Sequence, residues 1–239
     1  MASSTHLPVR DRAGALIDIV LISIPILLFG ITGTLLGTTA AGILGGAIIN
    51  VGYILAVLVG WRLLKRRGIG WREIGLARPA SWPRTVLLGI AAMLGAVVVW
   101  LLVQNIAALL LSPQAATIDE SRFNPLRGNL PLFLLMLLLA WTVIAFGEEM
   151  VYRAFLTTHL IEILPPGKAG TALAAVGSSF LFGLAHYPAE GPVGILSNGA
   201  FGLLFAWIYL RSGLNLWITI TGHVLLNTLR FALLYSGAV

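Results

Sequence analysis

Residues 130–160 read LPLFLLMLLLAWTVIAFGEEMVYRAFLTTHL. From Leu130 to Gly147 there is no charge, and then Glu148, Glu149 and Arg153 follow in close succession. A helix needs roughly 20 mainly apolar residues to cross about 30 Å of hydrocarbon, so this stretch reads as a membrane span with charge at its middle. The apolar run is long and lacks a two-residue alternation, which argues against a strand of a membrane β-barrel.

The rest of the chain agrees. Hydrophobic residues make up 58% of the 239 positions and charged residues 10%, with a mean hydropathy of +0.95. An ordinary globular domain carries about a quarter charged residues. Fifteen Lys+Arg and nine Asp+Glu cannot clothe a water-facing surface of normal composition. A soluble enzyme, a disordered tail and a nucleic-acid-binding module are excluded on that ground, despite the net charge of +6. Zero cysteines exclude disulfides, thiolate metal sites and a cysteine nucleophile.

Membrane-length stretches fall near 15–36, 40–61, 85–111, 130–160, 169–187, 192–210 and 214–236. The expected fold is an all-α polytopic bundle of about seven, or eight, transmembrane helices around an intramembrane cavity. Residues 1–129 form an N-terminal three-span region, and 130–239 form a four-helix core. The first stretch is too long for a signal-peptide core and is read as retained, with Asp18 at the interface. Arg62, Lys65, Arg66, Arg67, Arg72, Arg78 and Arg84 crowd one loop, which the positive-inside rule assigns to the cytoplasm. The basic run is a topology signal that touches anionic lipid rather than nucleic acid. By alternation the N-terminus is cytoplasmic, the 112–129 loop faces outward, and the chain ends outside. The compartment expected is a prokaryotic plasma membrane.

Charges inside a span are expensive, at roughly 2.5–3.5 kcal/mol each on insertion scales, and mark functional sites. Glu149 and Arg153 are four apart and can pair on one helix face, whereas Glu148 points elsewhere and has no local partner. Of the four histidines, His6 belongs to the polar tail and His159 reads as interfacial. His186 and His223 lie in or beside apolar spans. Phe182 precedes His186 by one turn, and Asn227 follows His223 by one turn. Glu148 and His186 are equidistant from residue 167, in a Pro165-Pro166-Gly167-Lys168 turn, so a helical hairpin sets them at one depth. A carboxylate base, imidazole donors and an amide donor suit amide hydrolysis. Arg230 is expected to snorkel at its helix end.

At these residues the sequence resembles the CAAX-prenyl-protease and bacteriocin-processing (CPBP, Abi) family of intramembrane endopeptidases. The family's motifs are E-E-x-x-x-R, F-x-x-x-H and H-x-x-x-N. They appear here in order, as Glu148-Glu149 with Arg153, Phe182 with His186, and His223 with Asn227. The resemblance covers roughly residues 130–235. It implies peptide-bond hydrolysis within the membrane on a membrane-associated or lipidated peptide or protein. Glu148 and His186 would activate water, His223 and Asn227 would stabilise the oxyanion, and Glu149 and Arg153 would orient the site. Glu148, His186 and His223 are also a candidate ligand set for Zn2+ or another divalent metal. The residues leave both a metallo and a glutamate-dependent mechanism open.

Other protease signatures are absent. There is no H-E-x-x-H, no G-x-S-x-G, and no pair of span aspartates. Two other functions fit the buried charges. One is a proton- or ion-coupled transporter, with Asn50, Gln104, Asn105 and Asn198 adding polarity, though no inverted repeat accompanies them. The other is a non-catalytic family member acting as a scaffold. No nucleotide-binding loop occurs, and no distinctive prenyl pocket is legible.

Overall fold

The computed structural model describes residues 11–37 and 42–238; His6 lies outside the described residues. Among the described residues, all regular structure is helical. Six helices are long and apolar enough to cross a membrane. They are α1 (Arg12–Gly37), α2 (Gly42–Arg66), α3 (Trp82–Leu110), α4 (Leu130–Ile163), α5 (Lys168–Arg211) and α6 (Leu216–Ser236). The protein is an integral membrane protein built as a polytopic helical bundle. Large apolar side chains such as Leu16, Leu35, Leu87 and Leu109 face outward, while Ala15, Ala56, Ala92 and Ala96 are buried between helices. That inversion suits packing in lipid, where small residues let backbones approach.

The fifth helix reconciles six elements with seven spans. Its 44 residues would reach roughly 66 Å at 1.5 Å per residue, twice what the hydrocarbon needs. It folds back at Gly191, whose φ of 65° and ψ of −161° break the helix between Pro188 and Pro192. Positive φ is open to glycine at little steric cost. The arms 168–190 and 192–211 then run antiparallel at close range. A Cβ on Gly183 would stand 2.5 Å from the Ile195 carbonyl and 2.9 Å from the Gly199 nitrogen. One on Gly202 would stand 3.2 Å from the Ser179 Cα.

The two ends of the bundle are tied differently. At the end carrying the basic 62–84 loop, Arg67 donates to Asp18 at 2.6 Å and to Glu162 at 2.8 Å. Burial alone disfavours its charge, but these two hydrogen bonds outweigh that and raise its pKa. Asp18 is therefore buried and paired. His159 is buried beside it, 3.6 Å from Asp18 and stacked on Phe155. The loop is pinned where the Tyr209 hydroxyl donates to the Ile74 carbonyl and the Trp217 indole donates to that of Ala77.

At the opposite end Arg230 donates to both Glu120 oxygens, at 2.7 and 3.0 Å. Glu190, at the hairpin turn, sits 3.7 Å from both Arg122 and Arg230. It also accepts from the Asn198 amide at 2.6 Å. The main core joins both sequence regions, with Ile22, Tyr53 and Leu64 packing alongside Met150, Phe155 and Phe205.

Because the hairpin depends on the approach at residue 183, Gly183→Ala should destabilise by about 1–3 kcal/mol through overpacking. For a chain of this size that lowers the melting temperature by roughly 2–12 °C. Gly30→Ala, where an added Cβ meets nothing within 4 Å, should not. Thermal unfolding in detergent checks both.

Candidate active site

The charged stretch of α4 is not a regular α-helix. Ala140–Ala145 and Glu149–Leu156 are π-helical, with Phe146–Glu148 between them. Such wide turns are rare and recur at functional sites. Residues four apart in an α-helix are offset by about 40°, and widening the turn brings them closer to alignment. Arg153 Nη1 thus lies 3.3 Å from Glu149 Oε1. The Thr157 hydroxyl donates to the Tyr152 carbonyl five residues back, at 2.8 Å.

The polar cluster here is almost wholly buried. Glu148, Glu149, Arg153 and His223 are 4%, 0%, 1% and 5% exposed. Arg153 has no hydrogen-bond partner for its guanidinium nitrogens, and Glu149 Oε2 has none. Aromatic faces take that role. The guanidinium carbon lies 4.3, 5.2 and 5.8 Å from the Phe182, Phe201 and Phe205 ring centres. Cation–π attraction is strongest where water is excluded, reaching about 2 kcal/mol or more. Phe182 also touches the His186 ring edge-on at 4.6 Å and Tyr152 at 5.0 Å. The phenylalanine of F-x-x-x-H therefore joins two motifs on different helices.

His223 completes the group from α6. Its Nδ1 is 3.0 Å from Glu149 Oε1, and its Nε2 is 3.7 Å from Glu148 Oε2. An ionised carboxylate can only accept, so Nδ1 donates to Glu149. The order is Arg153, Glu149, His223, Glu148, with Glu149 Oε1 shared by cation and imidazole. Glu148, expected to lack a local partner, instead faces His223 and the hydroxyls of Tyr53 and Tyr152.

Two expected members stand apart. His186 is anchored by Nδ1 to the Phe182 carbonyl at 2.9 Å. It makes no ion pair with Glu148, and Glu190 follows it one turn on. Asn227 is partly exposed one turn beyond His223, and its amide bonds to none of the described residues. No three of His, Cys, Asp and Glu among the described residues gather as a metal-ligand set. The candidate set Glu148, His186 and His223 is therefore not gathered as one ligand set in this arrangement. Nδ1 of His223 is held by Glu149 and Nδ1 of His186 by a backbone carbonyl, which leaves each Nε2 open.

Sequence reasoning missed Tyr53, Phe201, Phe205 and Glu190. The rings read as ordinary core residues, and Tyr53 sits in a span without a motif. Glu190 was legible as a carboxylate at the edge of a span.

The buried pair gives a test. Glu149→Ala leaves Arg153 uncompensated, at a cost of about 3–5 kcal/mol, or roughly 6–20 °C in melting temperature. Adding Arg153→Met should recover a large part of that loss. Additive losses in the double variant would contradict the pairing.

The chain was also compared with known proteins. Residues 130–229 match the family model described as type II CAAX prenyl endopeptidase Rce1-like. The matched segment holds all three motifs and ends just beyond Asn227. No curated protein and no solved structure matches the chain. Residues 130–229 of this chain are thus similar to the type II CAAX prenyl endopeptidase Rce1-like family.

Proposed function

We propose that the protein is an intramembrane endopeptidase that hydrolyses a peptide bond of a membrane-associated or lipidated peptide or protein. The observation that carries this reading is the buried chain from Arg153 through Glu149 and His223 to Glu148. Glu148 is the general base. Its Oε2 and the His223 Nε2 are 3.7 Å apart, close enough for both to contact one water. Glu148 takes a proton from that water as its oxygen attacks the scissile carbonyl carbon. In its protonated form His223 donates from both nitrogens, with Nδ1–H held by Glu149 and Nε2–H toward the oxyanion. Asn227 supplies a second donor. As the tetrahedral intermediate collapses, the C–N bond breaks and Glu148 returns its proton to the leaving amine.

Glu149 and Arg153 are positioning residues. Arg153 pairs with Glu149, and Glu149 fixes the imidazole in tautomer and angle, as a carboxylate does in other hydrolytic dyads. His186 was expected to activate water together with Glu148. The geometry favours His223 as the imidazole nearest Glu148. His186, with Nε2 left free by the bond to Phe182, is assigned to the substrate-facing wall. Low dielectric and fixed donors raise the value of each of these interactions.

Glu148→Gln, nearly isosteric, should insert and fold yet lower turnover by about 10²–10⁴-fold, the usual worth of a general base. Asn227→Ala should lower kcat by about 10²–10³-fold if it is an oxyanion donor. Mass spectrometry of a membrane-embedded peptide incubated with each variant in liposomes checks both. Normal cleavage by Glu148→Gln would sink the mechanism. Proton-coupled flux without cleavage, lost in Glu148→Gln, would favour a transporter.

A further inference from the structure

A second feature lies away from the acidic cluster, on the lipid-facing side. Helix α3 is pressed onto α6 where Gly89 approaches Thr221 and Gly222 approaches Ala92. Its neighbouring face meets the 192–211 arm less closely. The two touch at Gly95, where an added Cβ would stand 3.3 Å from Leu204, and they part toward the basic end. The gap between them has a volume of about 380 Å³.

Its walls are Leu88, Ala91 and Ala92 on one side and Trp207 and Ile208 on the other, with Arg84 and Arg211 at the mouth. Eleven residues separate Arg84 from Gly95, so the slot extends roughly 16 Å along the helix. No acidic residue lines it. Neither arginine makes an ion pair with the described residues. Trp207 is exposed, and Trp82 packs edge-on against Trp217 near the same end. Tryptophans at that level mark the interfacial belt of a bilayer, so the two cations stand at headgroup depth with the apolar slot beneath them.

We infer that this groove is a binding site for one anionic phospholipid. Its phosphate lies between Arg84 and Arg211, and an acyl chain lies against Ala91, Gly95 and Leu204. Charge complementarity commits the site to that occupant. A neutral chain would fill the slot but leave two cations unpaired, and a packed helix from a second copy would place them against apolar surface. Basic pockets between membrane helices are known to select anionic headgroups. The inference is independent of the proteolytic reading.

Native mass spectrometry tests it, on the full chain released from vesicles of equal phosphatidylglycerol and phosphatidylcholine. Two arginines near a headgroup correspond to about thirtyfold preference for the anionic lipid. One phosphatidylglycerol should therefore stay bound to the wild type in that excess. Arg84→Gln/Arg211→Gln should bring the two lipids to parity. Arg72→Gln/Arg78→Gln, which removes equal charge from the same end outside the groove, should keep the preference. All four side chains are exposed, so folding should be little affected. If the double groove variant does not accumulate, each single variant should lose about fivefold. Parity in the wild type, or equal loss in both double variants, would overturn the site. So would retention of sn-glycerol 3-phosphate without any lipid, or a dimer that excludes lipid.

Discussion

Two adjacent carboxylates in the middle of an apolar bundle are the constraint on which the rest of the core depends. Left alone, Glu148 and Glu149 would be too costly to keep charged in hydrocarbon. The structure answers with two cationic or polar partners from other positions. Arg153 arrives from the next turn of the same helix, and His223 arrives from α6. Glu149 takes both of them on the single oxygen Oε1. Glu148 is left facing an imidazole and two tyrosines.

The surrounding fold serves this arrangement. A π-helical turn widens α4 where the carboxylates begin, and it aligns Arg153 over Glu149. The hairpin at Gly191 brings Phe182 and Phe201 to the same height from opposite arms, so both rings cover the guanidinium. Phe201 also lies edge-on to His223 at 5.0 Å. The aromatic shell thus excludes water from the ion pair and holds the imidazole. At the far end, Glu190 with Arg122 and Arg230 ties the hairpin turn to the 112–129 loop and α6. That clasp fixes the helix end that carries His186.

Much of this was legible in the sequence, and the reasons are physical. Span length and hydropathy locate membrane helices because hydrocarbon admits few other structures. The break between residues 187 and 192 was readable from Pro188, Gly191 and Pro192. The E-E-x-x-x-R and H-x-x-x-N patterns pointed to residues that do meet, since Glu149 and His223 are hydrogen-bonded. The pairing inside the cluster was not legible. Equal distance of Glu148 and His186 from one turn fixes depth but not rotation about each helix axis, and the two make no ion pair. Nor can composition reveal a π turn, or separate Phe201 and Phe205 from ordinary core residues. Tyr53 comes from α2, outside every motif, and only tertiary packing brings it to Glu148.

The central claim is that a water molecule activated inside this bundle cuts a peptide bond. Purified protein in liposomes free of other proteins, given a membrane-embedded peptide in H2(18)O, tests it most directly. The account predicts two fragments, with one heavy oxygen in the new carboxylate and no peptide left attached to the protein. Intact peptide in the presence of folded protein, or a fragment covalently bound to the chain, would contradict it.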